Sequence, residues 1–188
     1  MDYKKDLKAY LDREIEVIQS LDLESINKVM NVLEDAKAQH KNTYICGNGG
    51  SAATASHFVC DFNKGLNDEA SQFKFQCLSD NTPIMMAISN DIGYDEVFRY
   101  QIKGRIEEGD VLFGISGSGN SINVINAMEH AKSVGAKTIA LVGYDGGKMK
   151  QIADYCIHVN INDMQISEDV HMIMDHLMMY VLSHGENC

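Results

Sequence analysis

Leu7, Tyr10, Leu11 and Ile15 fall three to four residues apart, as do Ile26, Val29, Met30 and Leu33, with polar and charged residues prominent between them. That spacing repeats once per helical turn, so the first forty residues predict two amphipathic helices with charged outer faces. The texture changes at Thr43. Short apolar runs then recur at 43–46 (TYIC), 75–78 (FQCL), 111–115 (VLFGI), 138–143 (TIALVG) and 155–159 (YCIHV). Helical periods such as Val124, Ala127, Met128 and Ala131 separate most of them. Strands of this length alternating with helices predict βαβ units. The expected fold is therefore α/β, doubly wound around a mostly parallel five-stranded sheet. Residues 1–42 form a helical preface and residues 43–188 the α/β core of a single domain. A last helix is expected from about Glu168 to Ser183, apolar at Val170, Ile173, Met174, Leu177, Met178 and Val181. So wide an apolar face needs cover from the core or from a partner.

The 188 residues are 45% hydrophobic and 23% charged, which fits an ordinary globular domain. No apolar run approaches the roughly 18 residues of a membrane helix. The N-terminus, MDYKKDLKAYLDREIEV, is too charged for a signal peptide, so a cytoplasmic protein is expected. A net charge of -11 argues against a nucleic-acid surface, which needs clustered Lys and Arg. It leaves room for a small phosphorylated ligand, which needs only local donors. Cys46, Cys60, Cys77, Cys156 and Cys188 stand at irregular spacings without a CxxC pair, the pattern of reduced thiols.

Two of the predicted strands open into similar loops. Cys46 leads through Gly47-Asn48-Gly49-Gly50-Ser51 into AATASHF, a good helix former. Ile115 leads through Ser116-Gly117-Ser118-Gly119-Asn120-Ser121 into INVINAMEHA, another. In parallel sheets, ligands sit beyond the carboxyl ends of the strands. Glycines let the backbone approach a ligand there, and free amides at a helix N-terminus favour an anion by roughly 0.3–1 kcal/mol. Ser116, Ser118 and Ser121 add hydroxyls that grip phosphate oxygens without Lys or Arg. A dinucleotide is the rival occupant, because Gly47-x-Gly49-x-x-Ala52 fits G-x-G-x-x-G/A between strand and helix. That pattern wants an acidic residue about 20 positions onward. Asp80 comes roughly 30 positions onward, and the second serine-rich loop is left without a role.

The runs CGNGGSA…HF, AISNDIGYDEVF, GDVLFGISGSGNS and ALVGYDGGKM, in this order, resemble the sugar isomerase (SIS) domain. The likeness covers nearly the whole chain. Within that family the runs are similar to the phosphoheptose isomerases, which interconvert sedoheptulose 7-phosphate and D-glycero-D-manno-heptose 7-phosphate. The resemblance implies an SIS-like fold and a homotetrameric phosphosugar isomerase. It implies substrate contacts at Asn48, Gly49, Gly50, Asp61, Asn90, Asp91, Ser116, Gly117, Ser118, Ser121 and Glu168. It also implies metal ligands at His57, Asp61, Glu168 and His176, with Asp61 and His176 catalytic. Zinc is the first expectation for the divalent metal, since mixed nitrogen and oxygen ligands suit it. Non-catalytic SIS relatives, which bind sugar phosphates or regulate replication initiation, are the alternative. They typically lose the acidic residue and the final-helix histidine, and this chain keeps both as Asp61 and His176.

The spacing of these residues both supports and strains that ligand set. His57 and Asp61 are four apart and share a helix face, about 6 Å of rise between them. Glu168 and His176 are eight apart, a rise of about 12 Å, too far for one ion on a regular helix. Either Glu168 sits at a distorted helix start or subunits supply the groups jointly. His171, one turn from Asp175, is a competing ligand read here as structural; His130, His158 and His184 are read as structural or surface residues. The family's usual residues are Glu at position 61 and Gln at position 168, and Lys64-Gly65 stands where Gly-Arg is typical. Two carboxylates facing one another repel, which makes a cation more necessary. Which of Asp61, Glu168 and His176 acts as base is left open by the sequence.

Overall fold

The computed structural model describes residues 1–66 and 72–185. Two helices open the chain, α1 (Lys4–Gln19) and α2 (Leu23–Ala38), the second started by the Asp22 carboxylate, which accepts from the backbone N–H groups of Glu24 and Ser25. Strand β1 (Thr43–Cys46) runs into α3 (Gly50–Cys60), which passes without a break into a π-helical turn, Asp61–Gly65. Next come β2 (Phe75–Cys77), α4 (Thr82–Asp91), a 3-10 turn (Tyr94–Glu96) and the short α5 (Arg99–Ile102). The second half alternates strictly: β3 (Val111–Ser116), α6 (Ile122–Ser133), β4 (Lys137–Val142), α7 (Gly147–Ile152), β5 (Tyr155–His158) and α8 (Met164–His184). Helix α8 begins four residues before the sequence-based start because Asp163 caps it through the N–H of Ile166.

The sheet has the order β2-β1-β3-β4-β5, and every pair is parallel, where the sequence led us to expect a mostly parallel one. Its strand order reverses between β1 and β3. That is the switch point at which the two outgoing loops diverge and leave a crevice above the strand ends. The Gly47–Gly50 and Ser116–Ser121 loops leave the sheet there.

Alternation along the strands divides the core between two faces. Ile45, Phe113, Ile115 and Leu141 face α2, α3 and α8, whereas Tyr44, Leu112, Ala140 and Val142 face α4, α5, α6 and α7. Phe58 and Phe62 fix how α3 is rotated. Both are fully buried, Phe58 with its ring 5.3 Å from Phe113 and Phe62 with its ring 4.6 Å from Phe75. Each stands one residue beyond His57 or Asp61, so anchoring the phenylalanines on the sheet turns the polar pair toward α8.

The N-terminal stripe departs from the sequence reading. Leu7, Leu11 and Ile15 are 63%, 55% and 51% exposed, while Val17 is buried and Tyr10 and Ile18 pack against the core. Helix α1 therefore turns its strongest apolar row away from its own chain. Tyr10 hydrogen-bonds Asp169, and Arg13 pairs with Asp163 at 3.1 Å, holding the other face against α8.

Candidate active site

The crevice holds a small cavity of about 180 Å³ lined by Asn48, Ser51, Ser116, Gly117, Ser118, Ser121 and Glu168, with Ile115 and Met164 as its apolar part. Helices α3 and α6 start at this crevice, and neither carries a side-chain cap; α2, α4 and α8 are capped by Asp22, Asn81 and Asp163. Their first amides thus remain available to an anion. The Ser116 and Ser121 hydroxyls lie 3.1 Å apart, and the Gly119 N–H donates to Ser116 Oγ at 3.2 Å. A neighbouring loop braces this one. Met149 N–H donates to the Gly119 carbonyl and Lys148 N–H to Asn120 Oδ1, at 2.9 and 3.0 Å. Gly119 has φ +65°, and a Cβ there would sit 2.0 Å from the Gly146 carbonyl oxygen, so only glycine fits. A wider hollow of about 450 Å³ lies beyond Ser118, among Asn120, Tyr144, Asp145, Asn160 and Asn162. Its lining carries the Asp145 carboxylate and no Lys or Arg, so the smaller cavity is the better fit for an anion.

Asn48 is fixed by two residues the sequence reading did not name. It exchanges paired amide hydrogen bonds of 2.9 Å with the buried Asn123 and accepts from the Tyr94 hydroxyl at 2.7 Å. Gly49 caps α3 at φ +56°, and Gly50 lies directly beneath the Glu168 carboxylate, where a Cβ would be 2.5 Å from Oε2. Asn90 and Asp91 close α4, exposed and bonded to one another at 2.7 Å, outside this cavity's lining. Ser51, which does line it, was visible in the sequence as the last residue of the first loop but carried no role there.

About two turns further along α3, four side chains converge. One ligand atom from each of His57, Asp61, Asp175 and His176 lies within 4.8 Å of all the others. His57 Nε2 is 3.1 Å from His176 Nε2, 3.6 Å from Asp61 Oδ2 and 4.0 Å from Asp175 Oδ2. His176 Nε2 is 4.0 Å from Asp61 Oδ2. Ligands held tetrahedrally 2.0–2.1 Å from zinc stand about 3.4 Å apart, so these separations suit a divalent cation with little adjustment. The chemistry agrees: two imidazole nitrogens facing each other need either a shared proton or a cation between them. The Asp175 side chain is 0% exposed, whereas that of His176 is 60% exposed. Burial first, and then the negative charge of Asp61, push Asp175 up to about 7.

The structure brings His57, Asp61 and His176 together and adds Asp175 to them. Glu168 is elsewhere, on the wall of the serine cavity. The sequence signal for Asp175 was its place next to His176. His171 is 1% exposed and burial pushes it down to about 4, opposed by the Val142 carbonyl, which forms no well-made hydrogen bond with the ring. It is a buried neutral imidazole. Asp61 opens the π-helical turn, a distortion frequent at functional sites and invisible in the spacing of His57 and Asp61.

A parallel sheet with two uncapped helix starts at its switch point and a His/Asp cluster further along one of those helices defines an α/β domain built around one crevice, and residues 2–143 match the SIS domain family. The chain is 35% identical over 180 residues to a phosphoheptose isomerase of Aliarcobacter butzleri, covering 96% of this chain and 95% of that protein. It is 38% identical over 178 residues to a phosphoheptose isomerase of Helicobacter pylori strain Shi470, covering 93% and 91%. Its fold matches the structure of a phosphoheptose isomerase from Neisseria gonorrhoeae with a TM-score of 0.89 at 29% identity, covering 96% and 98%. The chain belongs to the SIS-domain family and, within it, to the phosphoheptose isomerases.

Proposed function

We propose that this isomerase converts sedoheptulose 7-phosphate into D-glycero-D-manno-heptose 7-phosphate. The observation that carries the reading is the placement of a cation-free serine cavity and a His/Asp cluster along one helix, α3. Ser116, Ser118 and Ser121, with the free amides of α3 and α6, hold the phosphate. Asn48, held rigid by Asn123 and Tyr94, orients the sugar chain. His57, Asp61 and His176 would hold a divalent cation, zinc first, which would supply Lewis-acid polarisation of the substrate carbonyl. Asp61 and His176 then transfer a proton between C1 and C2 through an enediol, one as base and the other as acid. Asn90 and Asp91 contact the sugar from the end of α4 when the site is complete.

The assembly reading follows from exposure. The uncovered row of Leu7, Leu11 and Ile15, with Tyr180 and Val181 on α8, supports a homotetramer in which a second copy covers them. A half-exposed His176 fits a site closed by such a neighbour. No described helix is long and apolar enough to cross a membrane. Cys46, Cys60, Cys77 and Cys156 are free thiols, which supports a cytoplasmic setting; Cys188 lies outside the described residues. Assays of heptulose and pentulose phosphates, with the protein stripped by chelator and then resupplied with zinc, test the reading. Turnover of the heptulose phosphate restored by zinc is expected. Binding without turnover under every metal would make the protein a sugar-phosphate sensor.

A further inference from the structure

We propose that the hollow beyond Ser118 is a second binding site, built for a neutral polyhydroxylated group and sharing Ser118 with the serine cavity. It adds a site to the reading above, and rests on that reading only where its occupant is tied to a phosphate in the serine cavity.

The strand order places the hollow. Asn48 and Ser51 follow β1, the serine loop follows β3, Tyr144 and Asp145 follow β4, and Asn160 and Asn162 follow β5. The serine loop thus stands between two recesses. The cavity lies on its β1 side, where α3 leads to the His/Asp cluster, and the hollow lies on its β5 side. Tight contacts fix the wall between them. Gly143 N–H donates to the Gly117 carbonyl at 2.9 Å, and a Cβ on Gly147 would lie 2.6 Å from the Ser118 carbonyl oxygen.

Tyr144 is the unusual residue of the lining. Its φ of +46° is left-handed, a region that bulky side chains rarely adopt. The backbone is clamped there from both sides. Tyr144 N–H donates to the Ile161 carbonyl at 3.1 Å. Lys150 Nζ, which only donates, lies 3.0 Å from His158 Nδ1, so that nitrogen accepts and Nε2 donates to the Tyr144 carbonyl, 2.9 Å away. Glycine would take this backbone without strain, so what tyrosine adds is its side chain at the wall of the hollow. Strain of this kind collects at ligand clamps.

The chemistry of the lining names the occupant. The Asn160 and Asn162 amides and the Tyr144 hydroxyl have no hydrogen-bond partner among the described residues. Asn120 and Asp145 are held in place, accepting from the N–H groups of Lys148 and Gly147 at 3.0 Å each. Amides both donate and accept, a carboxylate accepts, and an aromatic ring covers a C–H face. That set answers hydroxyls on a carbon frame. With the Asp145 carboxylate and no Lys or Arg, it disfavours a second phosphate. The group arrives either as a free sugar or joined through a second ester to a phosphate in the serine cavity. A phosphomonoester, whose chain runs toward the cluster, leaves the hollow empty.

Ligand-observed NMR and calorimetry on wild type, Tyr144→Gly and the double variant Asn160→Ala, Asn162→Ala test the proposal. The probes are a panel of neutral monosaccharides, glycerol 3-phosphate, and glycerophosphoinositol, a phosphodiester with a polyol on each side. Wild type saturated with glycerol 3-phosphate and still binding a neutral monosaccharide would identify the free sugar as the source. Glycerophosphoinositol binding about tenfold more tightly than glycerol 3-phosphate would identify the phosphodiester. In either case the gain is expected to vanish in both variants, while kcat/KM for the sugar phosphate stays within about twofold of wild type. Tyr144→Gly is also expected to melt no lower than wild type, because it relieves a left-handed tyrosine. Should it fail to fold, the double variant, which changes two exposed side chains, decides in its place. Neither probe class gaining on wild type, or a gain that survives in the variants, overturns the inference. A neutral monosaccharide that binds where glycerol 3-phosphate and inorganic phosphate do not would uphold this site and overturn the phosphate reading of the serine cavity.

Discussion

The serine cavity and the His/Asp cluster are assembled in opposite ways. Ser116, Gly117, Ser118 and Ser121 come from a single strand-to-helix loop, and Asn48 and Ser51 from a second loop leaving the adjacent strand. The cluster joins residues as far apart as His57 and His176, 119 positions along the chain, and no local motif brings them together. Backbone geometry makes the cavity; it contains amides and hydroxyls, and its one carboxylate is at the wall. Side-chain packing makes the cluster, which concentrates two imidazoles and two carboxylates. The cavity should therefore govern affinity and tolerate conservative change, whereas the cluster should govern turnover and couple to stability.

The largest expected effect breaks the two apart at Asp61. Asp61→Ala removes a group that is at once a cluster member and half of the proposed acid–base pair. Turnover should fall by at least about a thousandfold while phosphosugar still binds, because the cavity is untouched. Steady-state rates and calorimetric titration with the sugar phosphate check this. Equal loss of binding and turnover would mean that the halves are not separable.

A smaller effect concerns acid. His171 sits in α8, the cluster's helix, and is held neutral in the fold with its pKa at about 4 against an ordinary 6.5. Below the ordinary value the unfolded chain takes up a proton that the folded chain refuses. The stability His171 contributes is thus complete above about pH 6.5 and is lost as pH falls toward 4, on the order of 3 kcal/mol in all. Urea titrations of wild type and His171→Leu between these limits should show a steeper loss in wild type. Parallel slopes would remove His171 from the account.

The smallest effect sharpens the cavity's role. Replacing both Ser118 and Ser121 with Ala should weaken sugar-phosphate binding by about ten- to a hundredfold, since each loses a hydrogen bond to a charged group. Zinc affinity and melting temperature should stay near wild type, because Ser118 and Ser121 are half-exposed loop residues. A matching loss of zinc would show that the two halves communicate.

How much of this was legible follows the same division. Short apolar runs fixed all five strands to within a residue or so, because the strands are buried and their runs are broken by polar turns. The serine loop was readable because strand, loop and helix succeed one another in sequence. The outward row of α1 was not, since periodicity identifies an apolar stripe but not which apolar stripe faces the chain's own core. Nor was Asp175, a carboxylate in a helix rich in methionine and leucine, whose meaning depends on His57 arriving from α3. The expected ligand Glu168 shows the limit most clearly. Its distance from His176 along a helix was calculable from spacing, yet only the packed structure supplies its actual neighbours, Gly50 and the serine loop. Residues that act through local backbone are visible early, and residues that act through packing are not.

The central claim is that the two halves work on one molecule, phosphate in the serine cavity and carbonyl at the cluster. Its most direct test is proton NMR of zinc-loaded protein incubated with sedoheptulose 7-phosphate, wild type beside Asp61→Ala. The account predicts that an aldoheptose 7-phosphate grows in to equilibrium with wild type, and that the ketose binds to Asp61→Ala but stays unchanged. Binding of the ketose by wild type with no aldose formed, or equal conversion by both proteins, would contradict it.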